Sequence, residues 1–183
     1  VLSVIKRVIR YLRKYPRGIL EIQGDMGMQH IHIWTDSDWT GDSVSRRSCS
    51  GGSLQLGDTT VQHWSKLQSN IALSSGEAEL NAAVKGISEG IGLRELMQEA
   101  SRKQVNMTLH VDANACRGIL LRHGAGKVKH LTTKQLWVQG AIKSYNIQAE
   151  KVPREQNSAD VLTHPTNAND LETGLNLMNF RRE

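Results

Sequence analysis

The chain has 183 residues, 38% of them hydrophobic, a formal charge of +5 and only two cysteines. That length and composition suit one main domain with a sizeable core, contain no apolar run that could span a bilayer, and give Cys49 and Cys116 neither metal nor disulfide spacing. The basic balance favours an anionic partner without naming it.

Val1 to Tyr15 carries Leu2, Ile5, Val8, Ile9 and Leu12 at helical spacing, with Lys6, Arg7, Arg10, Arg13 and Lys14 between them. This predicts an amphipathic basic helix, stopped by Pro16 and Gly18. Ile19 to Ile22 reads as a brief strand or extended linker. Gln29 to Asp36 is a strand ending in a carboxylate, followed by the turn chemistry of Ser37 to Asp42. Ser48 to Leu56 and Thr60 to Lys66 are two further strands around Gly57-Asp58, which suggests an antiparallel meander.

Ser74-Ser75-Gly76-Glu77 has the form of a capping box, so a helix starts there and extends to about Ser101. Ala83, Gly86 and Gly90 form a stripe of small residues that lets the helix lie close against a sheet. Glu79 is on that stripe, whereas Glu77 is turned about 200° away. Met107 to Asp112 alternates and is a fourth strand ending in an acid. Asn114 to Arg122 reads as a helix, Gly124 to Lys129 as a loop, Leu131 to Tyr145 as a helix and Ile147 to Val152 as a fifth strand. Asn157 to Leu162 is expected to be a short helix with Asp160 in its first turn, and the tail after Pro165 has only a weak helical signal from Leu171, Leu175 and Leu177.

Asp36, Glu79, Asp112 and Asp160 thus come from four separate elements. Four such carboxylates make chemical sense around hard divalent cations with oxygen ligands. Two ions about 3.5–4 Å apart can stabilise the attacking and leaving oxygens of a phosphoryl displacement. His30 and His32 share a strand face, and His110 shares one with Asp112. With no cysteine or third histidine nearby in sequence, zinc is not expected there. Cys116 reads as a core thiol.

These segments resemble the ribonuclease H domain of copia-type retrotransposon polyproteins along nearly the whole chain. Ile5 to Leu12 is similar to the end of the reverse-transcriptase region that precedes the nuclease. Thr35 to Asp42 resembles the first active-site segment, and Arg46-Arg47-Ser48-Cys49-Ser50-Gly51 the entry to the second strand. Ala72 to Leu80 is the most specific signature, extended by Lys129-His130 and by Asn157 to Thr163. The chain departs from the pattern at Leu131-Thr132 after Lys129-His130, at Gln135-Leu136-Trp137, and at His164-Pro165. Its Pro153 to Gln156 loop lacks the histidine of many ribonucleases H.

The resemblance implies an α/β ribonuclease H-like fold: a five-stranded mixed sheet, made of a three-strand antiparallel meander plus two strands, flanked by helices. It implies a basic helix and linker over 1–28 from the end of an upstream reverse-transcriptase region, a nuclease domain over 29–166 and a tail over 167–183. Asp36, Glu79, Asp112 and Asp160 would be the metal set for two Mg²⁺ ions, or Mn²⁺, activating a water that cleaves the RNA strand of an RNA–DNA hybrid. Arg46, Arg47, Lys66, Lys127, Lys129 and His130 are the candidate nucleic-acid contacts. An upstream polymerase in the same polyprotein is the implied partner, and an intracellular setting, in a virus-like particle or the nucleus, the implied location. The alternative is a catalytically inactive nucleic-acid-binding remnant of a retroelement.

Overall fold

The computed structural model describes residues 2–22, 29–124, 126 and 131–183. The elements in chain order are α1 (Leu2–Lys14), β1 (Gly18–Leu20), β2 (His30–Asp38), β3 (Cys49–Leu56), β4 (Thr59–Leu67), α2 (Ser75–Ser101), β5 (Asn106–Val111), α3 (Asn114–Leu121), α4 (Thr133–Ser144), β6 (Gln148–Lys151), α5 (Ala168–Leu177) and β7 (Phe180–Arg182). Five strands form one mixed sheet in the order β4-β3-β2-β5-β6. β2, β3 and β4 are the expected antiparallel meander, and β5 and β6 run parallel to β2.

Period-two alternation along β2 sorts its side chains between two faces. Ile31 and Ile33 are fully buried in the core, with Leu54, Leu80, Ile87, Met107 and Leu109. α2 covers this face, and its glycines set how closely. A Cβ on Gly86 would stand 2.4 Å from Thr35 Cγ2, and one on Gly90 2.5 Å from Ile33 Cδ1. The small-residue stripe therefore does what its spacing predicts.

On the opposite face, His30, His32 and Trp34 from β2 meet Thr108 and His110 from β5. His32 Nδ1 lies 3.0 Å from His110 Nε2, His30 Nε2 lies 2.8 Å from Thr108 Oγ1, and Trp34 stacks on His110 with ring centroids 4.0 Å apart. The third histidine absent from the neighbouring sequence is thus supplied by the adjacent strand, and the rings pair with one another. Burial, with the other two imidazoles nearby, lowers the His110 pKa to about 4.

Two readings of the C-terminal part need correction. Asn157 to Leu162 is not an α-helix: Arg154–Gln156 and Asp160–Leu162 are 3-10 turns. Pro153 opens the segment, and Asn157 directs its side chain to the Thr35 carbonyl at 3.0 Å and to the Ala159 amide at 3.1 Å, bonds that serve a turn rather than a helix. The tail is also more ordered than its polar sequence suggests. Asn167 caps α5, and β7 pairs antiparallel with β1, Gly18 opposite Arg182. Arg182 lies over the Tyr15 and Tyr11 rings of α1, at 4.4 and 5.6 Å from their centroids, and Arg7 donates to the Thr166 carbonyl at 2.7 Å.

Among the described residues no helix is long and apolar enough to cross a membrane. Cys116 is fully buried, and burial raises its thiol pKa well above the ordinary value, as a core role requires.

Candidate metal centre

The parallel pairing of β2 with β5 builds the site. Trp34 stands opposite His110 in this register, so the acids two residues further on, Asp36 and Asp112, lie just past the end of that pairing; β2 does not stop at Asp36 as the turn residues after it suggest, because β3 pairs with it through Asp38. Glu79 reaches that end from the second turn of α2, on the same side as Ala83 and Gly86. Oxygens of Asp36, Glu79 and Asp112 all lie within 4.8 Å of one another. Asp36 and Glu79 are each only 6% exposed, and Asp112 is half-buried.

Asp160 lines the same cleft, of about 250 Å³, with Ser37, Asp38, Arg154, Thr163 and His164. Its carboxylate is outside the 4.8 Å group and accepts a hydrogen bond from Arg154 Nε at 2.7 Å. Its turn is nonetheless locked to the strand carrying Asp36. Asp36 pairs in register with Gly51 of β3, and a Cβ there would come within 2.7 Å of the Ala159 carbonyl oxygen and 2.8 Å of Thr163 Cγ2. The bare backbone of Gly51 lets the turn cross β3, and Thr163 Oγ1 then donates to Asp36 Oδ2 at 2.8 Å.

Removal from water disfavours ionised carboxyl groups, and neighbouring carboxylates disfavour them further. Burial is the main cause that raises the Asp36 pKa to about 6, with Asp112 and Asp160 adding to it and Thr163 opposing it. Burial, then Asp36 and Asp112, raises Glu79 to about 8, although Ser37 donates its backbone N–H and hydroxyl to Oε1 at 3.2 and 3.0 Å. Asp112 is raised as well, again first by burial. Glu79 Oε2 is buried with no hydrogen-bond partner. An orphaned carboxylate oxygen among acids that resist ionisation, with oxygen donors alone, fits a hard divalent cation.

Glu77 behaves differently, as its turn of the helix predicts. Ser74 Oγ accepts from the Glu77 amide at 3.2 Å, which is half of a capping box. The Glu77 carboxylate passes the cap residue and accepts from the Leu73 amide at 2.8 Å and from Gln135 Nε2 of α4 at 3.2 Å, buried between two helices. Sequence spacing gave its direction but not its partner on α4.

Of the six basic candidates, Arg46 and Arg47 lie in the β2–β3 loop, Arg46 exposed and Arg47 directing Nε to Ser45 Oγ at 3.2 Å. Lys66 is exposed on the edge strand and lines a groove of about 550 Å³ between β4, α2 and α4. Lys127, Lys129 and His130 lie outside the described residues. Ser37, Arg154, Thr163 and His164 were not singled out from sequence. Thr163, one 3-10 turn after Asp160, carried the available signal, since three residues return a side chain to the same side.

Comparison with known proteins agrees with this architecture. No family model matches the chain. It is 27% identical over 173 residues, 93% of its length, to the retrovirus-related Pol polyprotein from transposon TNT 1-94 of Nicotiana tabacum, and 27% over 169 residues, 90% of its length, to that from transposon RE1 of Arabidopsis thaliana. It spans 13% and 11% of those two polyproteins. Among solved structures it is similar to RNase H1 from the halophilic archaeon Halobacterium salinarum NRC-1, with a TM-score of 0.55 at 18% identity over 73% of this chain and 94% of that one. The chain therefore has the ribonuclease H fold and is homologous to a short segment of the retrovirus-related Pol polyproteins of plant transposons.

Proposed function

We propose that this chain is a divalent-metal-dependent ribonuclease H that hydrolyses the RNA strand of RNA–DNA hybrids, as part of a retroelement polyprotein that also supplies a polymerase. The observation that carries this reading is the meeting of Asp36, Glu79 and Asp112 within 4.8 Å, at one end of a ribonuclease H sheet. Asp36, Glu79 and Asp112 would hold the first cation, and Asp160, now paired with Arg154, would contribute its carboxylate to a second. Bound Mg²⁺ or Mn²⁺ supplies the positive charge that activates water and stabilises the leaving oxygen in a two-metal displacement.

The chain's own groups do the rest. Ser37 and Thr163 orient Glu79 and Asp36 by donating to one oxygen of each, and Glu79 Oε2 is left with no hydrogen-bond partner of its own. Recognition of RNA falls to contacts with its 2′-hydroxyls, and the basic side chains hold phosphates of either strand.

The test is incubation of the purified protein with end-labelled RNA–DNA hybrid, single-stranded RNA and duplex DNA, with and without Mg²⁺ or Mn²⁺. Metal-dependent shortening of the RNA in the hybrid alone is the expected result. Tight hybrid binding with no cleavage under either metal would instead identify an inactive binding remnant.

A further inference from the structure

Trp39 follows directly on β2 and is 52% exposed, one residue from Asp38 in the wall of the acidic cleft. Its indole N–H donates to the Ala72 carbonyl at 3.1 Å, which fixes the ring and ties the β2–β3 loop to the segment before α2. Ile71 and Leu73 flank that anchor, 54% and 66% exposed. Isolated exposed apolar residues are ordinary on protein surfaces. An indole fixed in place next to a polar cleft, anchored between two exposed apolar residues of the facing segment, offers a ligand an apolar surface.

The loop itself is held in costly backbone. Thr40 and Arg46 have φ of 59° and 60°, a region that non-glycine residues seldom occupy and β-branched ones least of all. Thr40 N–H donates to Ser48 Oγ at 3.1 Å, Asp42 N–H to the Arg47 carbonyl at 3.1 Å and Arg46 N–H to the Asp42 carbonyl at 2.8 Å, so the conformation is over-determined. Such strain persists where a loop's shape is used. This one carries an aromatic ring next to the cleft wall and two arginines further along the same loop, residue types by which proteins hold nucleic-acid strands: stacking on the ring, ion pairing along the backbone.

We propose that Trp39 is a substrate-contacting residue, its indole face packing on a nucleoside of the strand that crosses the acidic cleft, with Arg46 and Arg47 on phosphates beyond it. The proposal rests on the ribonuclease reading of the site. The minor groove of an A-like hybrid is wide and shallow, so sugars and base edges come within reach of a side chain standing at the rim.

The experiment compares wild type, W39A, W39L and W39F for equilibrium binding of a fluorescein-labelled RNA–DNA hybrid without metal, and for cleavage kinetics with Mg²⁺. Loss of one stacking contact is expected to weaken binding and raise KM by roughly tenfold, with kcat within about threefold. W39L, which keeps apolar bulk but no aromatic face, should resemble W39A. W39F, which keeps a ring and loses only the N–H to Ala72, should bind nearly as wild type. Hybrid should also change the intrinsic fluorescence of W137F as it does that of wild type, but not that of W39F. A folded W39A or W39L with wild-type affinity overturns the proposal, and so does a W39F as weak as W39A, because the ring would then act only through its anchor. If wild type binds no hybrid at all, the ribonuclease reading falls together with the proposal; if wild type binds and the variants match it, the proposal falls alone.

Discussion

Thr163 Oγ1 and Asp36 Oδ2 are 2.8 Å apart across 127 residues of sequence, and this hydrogen bond ties the turn bearing Asp160 to the strand bearing Asp36. The bond favours the ionised form of Asp36 against the burial that disfavours it. Thr163→Val keeps the shape and removes the donor. We expect it to raise the Asp36 pKa further, weaken Mg²⁺ binding by about tenfold, as loss of a hydrogen bond to a charged group does, and shift the acid limb of the cleavage profile upward in pH. Calorimetric Mg²⁺ titration and a pH–rate series measure the two effects.

The two glutamates of the α2 entry should separate cleanly. Glu79→Gln removes a cation ligand and lowers cleavage by orders of magnitude, while the metal-free protein keeps or gains stability because the amide needs no proton, whereas the buried carboxyl must hold one that the unfolded chain releases. Glu77→Ala leaves the Leu73 amide without its acceptor and Gln135 Nε2 with Asn81 Oδ1 alone, at a cost of about 2 kcal/mol, and spares most of the activity. Denaturant unfolding and hybrid cleavage should rank the two variants in opposite order. The same order in both assays would move the catalytic assignment along the helix.

Above about pH 6.5, where His110 is neutral in both the folded and the unfolded chain, stability without metal should fall as pH rises; below that, the lowered pKa of His110 acts in the opposite direction. Asp36 and Glu79 titrate in unfolded chains near 3.8 and 4.5, and in the folded protein near 6 and 8. Below pH 4 both states hold these protons, so the groups contribute nothing. Between about 4 and 8 the unfolded chain releases protons that the native state keeps, which favours unfolding. Millimolar Mg²⁺, binding only the native state, should raise the melting temperature most at the alkaline end. Melting curves from pH 6.5 to 8, with EDTA or Mg²⁺, test the sign, and a metal-free stability that climbs steadily over that range would contradict it.

Glycine contacts predict a graded series. Gly86→Ala drives a methyl against the stiff β-branched Thr35, and Gly90→Ala against the movable end of Ile33, so the first should destabilise more. Gly51→Ala meets the Ala159 backbone carbonyl, which cannot swing aside. We expect about 1–3 kcal/mol for overpacking of this kind, with Gly51→Ala losing cleavage well beyond its loss of stability because the Asp160 turn is lifted from Asp36. Unfolding and cleavage on the three variants provide the comparison.

Replacing Arg46 and Arg47 together by Ala should reduce the slope of log affinity against log salt. Counterion release corresponds to about 0.9 per phosphate neutralised on duplex DNA, so two contacts predict a change of about 1.8. An unchanged slope would take both arginines off the interface.

The core strands, α2 and the four candidate acids, all of which line the cleft, were legible because each is written locally. Ile31 and Ile33 alternate into the core, Asp36 and Asp112 stand just past the stretch over which β2 and β5 pair, and Ala83, Gly86 and Gly90 fix which glutamate turns inward. What sequence did not convey depended on chain segments far apart. The 3-10 geometry around Asp160 follows from Asn157 bonding to the Thr35 carbonyl, and the pairing of β1 with β7 joins residues more than a hundred positions apart. The approach of His110 to His32 needed the parallel register of β2 and β5, and the Arg154 contact with Asp160 needed the turn between them.

The β1–β7 ribbon also holds α1. Arg17 and Glu183 exchange backbone hydrogen bonds at 3.1 and 3.0 Å, and Arg182 of the same ribbon covers the Tyr11 and Tyr15 rings. Fraying of either strand therefore frees the other and releases the helix, while the acidic cleft, built on a separate sheet, keeps its shape.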